Sequence, residues 1–314
     1  MTINELDGAA NETQAAPDGG TAKGELAHVS PRPAGGRVLR SGSRLNTVLV
    51  IGAVGWIAGV IVLAAFAHLL PLANPEDAVA DARIAPFQNW SEPLGTDGYG
   101  RSVLSRLAYG ARASLTVGLL AVAVGLVLGA AVGLAAGYRR GKLDLVVGIL
   151  TDSMLAFPGL VLLIGVAAIM GPGIRTLVLG LGFIAFPVFI RMARANTLRY
   201  ADREFVQAAR LLGSSSMRIV VREILPNVVP PLIAYAVIVM ATLISAEASL
   251  SFLGLGIRPP TASWGSMISD GQYELSSSPF LLAVPATTLA ITVFAFNIVG
   301  DWSRRKLDIG QAKV

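Results

Sequence analysis

Six long gaps between charged residues constrain this chain more than any other feature in it. They run from Leu45 to Leu70 (26 residues), Ala113 to Tyr138 (26), Ser153 to Ile174 (22), Thr176 to Ile190 (15), Ile224 to Ala246 (23) and Leu275 to Gly300 (26). A helix needs roughly 17 to 25 predominantly apolar residues to cross a bilayer, so five of the gaps qualify by length. The fourth is short, and it crosses if Arg175 and Arg191 carry their charged heads to opposite interfaces on long apolar stems. The chain therefore reads as an all-α membrane protein with six transmembrane helices in a lipid bilayer. Composition agrees: 54% of residues are hydrophobic and 14% charged, where a soluble domain carries about 25% charged residues.

Sidedness follows from lysine and arginine. With the N-terminus inside, the inner segments hold five in the leading tail, three at Arg139, Arg140 and Lys142, seven from Arg191 to Arg222, and four from Arg304 onward. That places 19 of the 25 basic residues inside, and Arg83, Arg101, Arg106, Arg112, Arg175 and Arg258 outside. Cytoplasmic loops carry the basic excess, so both termini are cytoplasmic. The isoelectric point near 9.8 thus reflects membrane orientation, and no nucleic-acid partner is implied. A topology reporter within residues 140 to 144 should read cytoplasmic and one beside Asp81 external; the reverse result overturns this orientation.

The chain divides into four parts. Residues 1 to 44 are rich in Gly, Ala, Pro and small polar residues, too poor in apolar surface to offset ordering entropy, and read as a disordered cytoplasmic tail. Residues 45 to 112 hold the first span and a long external loop. In that loop Val103, Leu104, Leu107, Ala108 and Ala111 share one helical face, with Arg101, Ser105, Arg106 and Arg112 on the other, an amphipathic pattern suited to a membrane surface or a partner. Residues 113 to 300 hold the five-helix core with a cytoplasmic loop at 191 to 225, and 301 to 314 form a cytoplasmic tail.

Within the second span Ala121, Gly125, Gly129, Gly133 and Gly137 recur at a strict spacing of four. Small residues in that register let a neighbouring helix approach to backbone contact, so they are candidate packing residues. Pro158, Pro187, Pro226, Pro230 and Pro231 are expected to interrupt later spans. Asp152 and Glu247 border apolar stretches, where an acid is a functional candidate by default, although a helix-end or structural role fits their position near the interfaces.

The chemistry of catalysis is missing. With no cysteine, and only His28 and His68 far apart, neither a thiolate nucleophile nor a histidine-based metal site or triad can be assembled. The nearest approach to a phosphate-binding loop, Gly141-Lys142-Leu143, lacks its spacing and hydroxyl, so no cofactor site for ATP is read here. Energy for uphill transport would come from a partner or from an ion gradient. The second case would use Asp152 or Glu247 as a proton site, but no inverted repeat is visible.

The cytoplasmic loop contains Asp202-Arg203-Glu204-Phe205-Val206-Gln207-Ala208-Ala209-Arg210-Leu211-Leu212-Gly213. Phe205, Ala208, Ala209 and Leu212 fall at helical spacing on one face, with Arg203, Gln207 and Arg210 opposite. Asp202 is placed to cap the helix and Gly213 to end it in a left-handed turn.

At Gln207-Ala208-Ala209-x-x-x-Gly213, followed by Ile224-Leu225-Pro226, the sequence resembles the coupling motif of ATP-binding-cassette importer permeases. Leu94-Gly95-Thr96-Asp97-Gly98-Tyr99-Gly100-Arg101 with the run Ser105 to Leu115, Glu247 to Gly256 with Pro259-Pro260 and Ser263-Trp264-Gly265, and Asn297 with Gly300-Asp301 resemble stretches of the dipeptide/oligopeptide C-type subunit. Gln207 stands where that family usually has glutamate, Ser102 where an acid is more frequent, and Glu223 where histidine is common. The resemblance implies a type I importer permease fold in the bacterial inner membrane. It also implies a homologous B-type permease partner, two cytoplasmic ATPase subunits or domains that bind ATP-Mg, and an external substrate-binding protein. ATPase contact would fall on Glu204, Phe205, Gln207, Ala208, Ala209, Arg210, Leu212 and Gly213. Di- or oligopeptides would be the substrate; related permeases carry nickel, glutathione or haem.

Overall fold

The computed structural model describes residues 42–311; the tail expected at residues 1 to 44 lies outside them save for its last three, which open the first helix. That helix, α1, spans Gly42–Phe66. An irregular external segment follows, pinned by isolated bridges between Ala78 and Arg101 and between Thr96 and Ser102. Then come α2 (Val103–Arg139), the pair α3 (Gly141–Ala156) and α4 (Gly159–Met170), and α5 (Ile174–Ala201). The cytoplasmic loop holds α6 (Glu204–Leu211) and α7 (Ser216–Ile219), which runs through a π-helical stretch at Val220–Ile224 into α8 (Leu225–Phe252). The external α9 (Trp264–Gln272) precedes α10 (Phe280–Gln311).

Five of these helices are long and apolar enough to cross a membrane, and α3 with α4 supplies a sixth crossing only as one bent element. The third expected span, Ser153 to Ile174, is thus not a single helix: it takes in only the last four residues of α3 before α4, and α3 and α4 meet at 84°. Phe157 is extended (φ −80, ψ 132), as the residue before a proline prefers, and the helix stops there. Pro226 stands at the start of α8 directly after the π-helical stretch, so an irregularity does fall there; the remaining expected interruptions do not occur. Pro187 lies inside α5, and Pro230 and Pro231 inside α8; neighbouring helices support such prolines within a membrane bundle. The short fourth gap is no obstacle, because α5 continues beyond Arg191, which pairs with Asp152 of α3 at 2.6 Å.

The amphipathic external helix is corrected too. Val103 to Ala111 form the opening turns of α2, so a division between residues 112 and 113 falls inside one 37-residue helix. Half of its polar face is buried: the Ser105 hydroxyl donates to the Ala73 carbonyl at 2.5 Å and Arg106 is only 4% exposed, while Arg112 stays exposed. At the other end α10 runs unbroken past residue 300.

The bundle is built on the seam between α2 and α5. An added Cβ at Gly125 would lie 2.6 Å from the Ala185 Cβ, at Gly129 2.7 Å from the Phe186 carbonyl oxygen, at Gly133 2.5 Å from that of Ile190, and at Gly137 2.8 Å from the Thr197 Cβ. Each four-residue step along α2 is matched by one along α5, so the two helices run parallel in register at backbone contact. Val117, Leu181, Phe189, Ile224 and Leu232 extend this core. A second cluster joins Val60, Ile244, Trp264 and Phe296, and the indole N–H of Trp56 on α1 donates to Thr292 on α10 at 3.0 Å. Ile51, Val127 and Ile149 remain exposed on outer faces, as suits side chains that meet hydrocarbon.

Candidate functional site

At the cytoplasmic end, α6 is held on the bundle by a small apolar contact and two polar ones. Val206 is fully buried, and Ala209 packs on the core beside it. The Arg210 guanidinium lies 5.3 Å from the centre of the Tyr138 ring at the end of α2, a cation–π contact. The Gln207 amide donates to the Asp202 carbonyl at 3.1 Å.

Two local expectations are revised by this arrangement. Asp202 is not the cap of α6; Arg203 occupies that position without a side-chain bond, and the Asp202 carboxylate pairs with Arg140 at 2.6 Å. Nor do Phe205, Ala208, Ala209 and Leu212 share one face. Ala209 turns inward with Val206, while Ala208 is exposed beside Phe205, Leu211 and Leu212, which are 40%, 90% and 86% exposed. Glu204 is exposed as well. The inward and outward apolar residues alternate too closely on so short a helix for period alone to sort them. Val206 and Leu211 are the two residues that reading missed, and the tertiary contact with Tyr138 is what settles the choice.

The end of α6 has a definite geometry. Gly213 adopts φ +78, its N–H bonds the Arg210 carbonyl, and the Ser214 N–H bonds that of Ala209, both at 3.0 Å. This is the doubled carbonyl closure that a left-handed residue permits. The chain is thereby aimed at α7 and the π-helical stretch that opens α8. Beside the loop, Asp144 and Arg194 form a two-pronged ion pair between α3 and α5, one arm at 2.7 Å.

At the external end lies a cavity of about 400 Å³ bordered by Arg83, Asp97, Arg101, Arg106, Asp270 and Glu274. Its charges are mutually engaged. Arg83 grips Glu274 with two bonds of 2.8 Å and holds that carboxyl below its ordinary range. Asp97 pairs with Arg101 at 2.7 Å and Arg106 at 3.5 Å, and Asp270 meets Arg106 at 3.3 Å. Burial pushes the Asp270 carboxyl up. Sequence spacing places Arg106 on a solvent face because its partner Asp270 stands 164 residues away.

Glu247 lies five residues before the last residue of α8, Phe252, and is entirely buried, so it does not occupy a helix end. One carboxylate oxygen accepts from Ser251 on its own helix at 2.7 Å and the other from Ser114 on α2 at 2.9 Å.

The architecture places the protein in a class. Its fold matches a solved structure of the MetNI methionine ABC transporter in inward-facing conformations, with a TM-score of 0.53 and 22% identity over 64% of this chain and 96% of that one. This is the all-α type I permease fold. Residues 113–311 match the family of binding-protein-dependent transport system inner membrane components, and the chain belongs to that family. It is similar to the dipeptide transport system permease protein DppC of Alkalihalophilus pseudofirmus, at 34% identity over 84% of this chain and 86% of that protein. It is also similar to the di/tripeptide transport system permease protein DppC of Pseudomonas aeruginosa (34%, 79% and 84%) and the glutathione transport system permease protein GsiD of Escherichia coli (38%, 71% and 72%). The protein is a multi-pass inner-membrane permease component of an ABC importer.

Proposed function

We propose that this chain forms half of the translocation pathway of a peptide importer, paired with a homologous B-type permease, two cytoplasmic ATPases and an external binding protein. The observation that carries the proposal is the outward face of α6. Phe205, Ala208, Leu211 and Leu212 stand clear of the bundle at the cytoplasmic end, while Val206, Ala209 and Arg210 fasten the helix to it. An apolar helix face so anchored is suited to a groove in a cytoplasmic partner. ATP binding would draw the ATPases together, and α6 would pass their displacement to the bundle as a rigid-body change between inward- and outward-facing states. The ATPases, not this chain, would hold and hydrolyse ATP-Mg.

The peptide class is supported by the dipeptide and di/tripeptide relatives, and by the glutathione relative, since glutathione is itself a tripeptide. Family membership sets aside the ion-coupled scheme, and Asp152 is engaged with Arg191. Purification of the complex from its native membrane should bring down two ATPases and a second permease. Vesicles containing that complex should take up labelled dipeptide with ATP inside and binding protein outside. Uptake of nickel or haem in preference to peptide overturns the substrate assignment.

A further inference from the structure

The buried carboxylate of Glu247 has no part in the transport scheme so far, yet it stands where three helices meet. Its second oxygen receives the Ser114 hydroxyl of α2, and the Ser114 oxygen in turn accepts the backbone N–H of Trp264, the first residue of α9, at 3.3 Å. Around this node the packing is close. An added Cβ at Gly265 would lie 2.6 Å from the Ala248 Cα and 2.7 Å from the Ser251 Cβ of α8, so α9 opens directly on the α8 backbone. The Trp264 indole N–H donates to the Leu107 carbonyl of α2 at 3.1 Å. A carboxyl group so enclosed needs its hydrogen bonds, because a buried polar group left without partners is destabilising.

The two ends of α8 face different events. Its 28 residues rise about 42 Å at 1.5 Å per residue. At the inner end it continues from the loop that carries α6; at the outer end it carries Glu247. The far end of α9 supplies Met267, Asp270 and Gly271 to the external cavity, and Tyr273 and Glu274 follow directly.

We infer that Glu247 is a positioning residue that ties α9 to the outer end of α8, so that movement begun at the coupling loop is delivered to the external cavity. The inference rests on the coupling role proposed for α6. Without Glu247 the Ser114 hydroxyl loses its acceptor and the hold on the Trp264 N–H loosens, leaving α8 able to move without α9.

Because the chain has no cysteine, single reporters can be placed on it cleanly. Tyr273→Cys marks the external end and Met217→Cys the cytoplasmic loop, at residues 81% and 73% exposed. Both are labelled with an impermeant maleimide in the complete complex in nanodiscs, nucleotide-free and trapped with ATP and vanadate. With Glu247 intact, trapping should change both labelling rates several-fold. With Glu247→Ala the Met217→Cys response should persist and the Tyr273→Cys response vanish, while Glu247→Gln, which keeps an acceptor and a donor at the node, should restore it. Ser114→Ala, a milder lesion, should diminish the external response alone, and decides the matter if Glu247→Ala does not assemble. Equal external responses in Glu247→Ala, or in Ser114→Ala where that variant alone assembles, overturn the inference and leave the coupling role standing. An unresponsive Tyr273→Cys with Glu247 intact does the same. An unresponsive Met217→Cys with Glu247 intact overturns the coupling role, and the inference with it.

Discussion

Replacing Gly129 by leucine is expected to deplete assembled complex tenfold or more. Even the first added carbon would sit 2.7 Å from both the Phe186 carbonyl oxygen and the Phe189 Cβ, and 3.1 Å from the Ile190 nitrogen. Two of those three atoms are backbone, so no rotamer change clears the way and α2 must part from α5. Overpacking a tight interior typically destabilises by about 1–3 kcal/mol, and each 1.4 kcal/mol is about a tenfold change in an equilibrium. The loss would spread along the seam, because Gly125, Gly133 and Gly137 make equally close approaches in the same register. The measurement is the yield of intact complex recovered from membranes at equal expression. Wild-type yield would mean that contact between α2 and α5 does not hold the permease together.

That seam shows how far sequence carries and where it stops. Spacing of four among Gly125, Gly129, Gly133 and Gly137 identifies a face meant for backbone contact, since only small side chains permit it. It does not name α5 as the partner, nor the parallel register, because the matching surface on α5 mixes Ala185 and Ala193 with Phe189 and Thr197. Proline behaves similarly. Pro158 and Pro187 carry the same local signal, yet Pro158 is exposed and ends α3, while Pro187 is buried within a continuous α5. What separates them is the neighbour, and neighbours are not written locally.

The candidate site divides the same way. The loop helix, its left-handed stop at Gly213 and its place between two spans follow from short-range chemistry. The inward turn of Val206 and Ala209 depends on a core that includes Tyr200, Ile219 and Ile224, so of the four residues at helical spacing only Ala209 leaves the outward face, while Phe205, Ala208 and Leu212 stay on it. Arg106 is the external counterpart. Its guanidinium is read as solvated until Asp97 and Asp270 are seen to enclose it.

The second large effect is expected at the coupling helix. Gly213→Val places a β-branched side chain at φ +78, where no neighbour lies within 4 Å. The penalty is therefore conformational, roughly 1–2 kcal/mol for a left-handed residue, and it misdirects the chain leading to α7 and α8. Ala208→Trp acts differently: Ala208 is exposed in this chain, so the substitution leaves the bundle intact and adds bulk only where a partner would dock. Both variants should insert and pair with the second permease.

Ala208→Trp therefore isolates docking from folding. The direct measurement is binding-protein-stimulated ATP hydrolysis by the complete complex in vesicles, with peptide uptake followed in the same preparation. Loss of stimulation and of uptake, in a complex still containing this chain and its permease partner, is the result that the coupling role of α6 predicts. Stimulation and uptake at wild-type levels would contradict it, and would leave α6 as no more than a solvated loop between two spans.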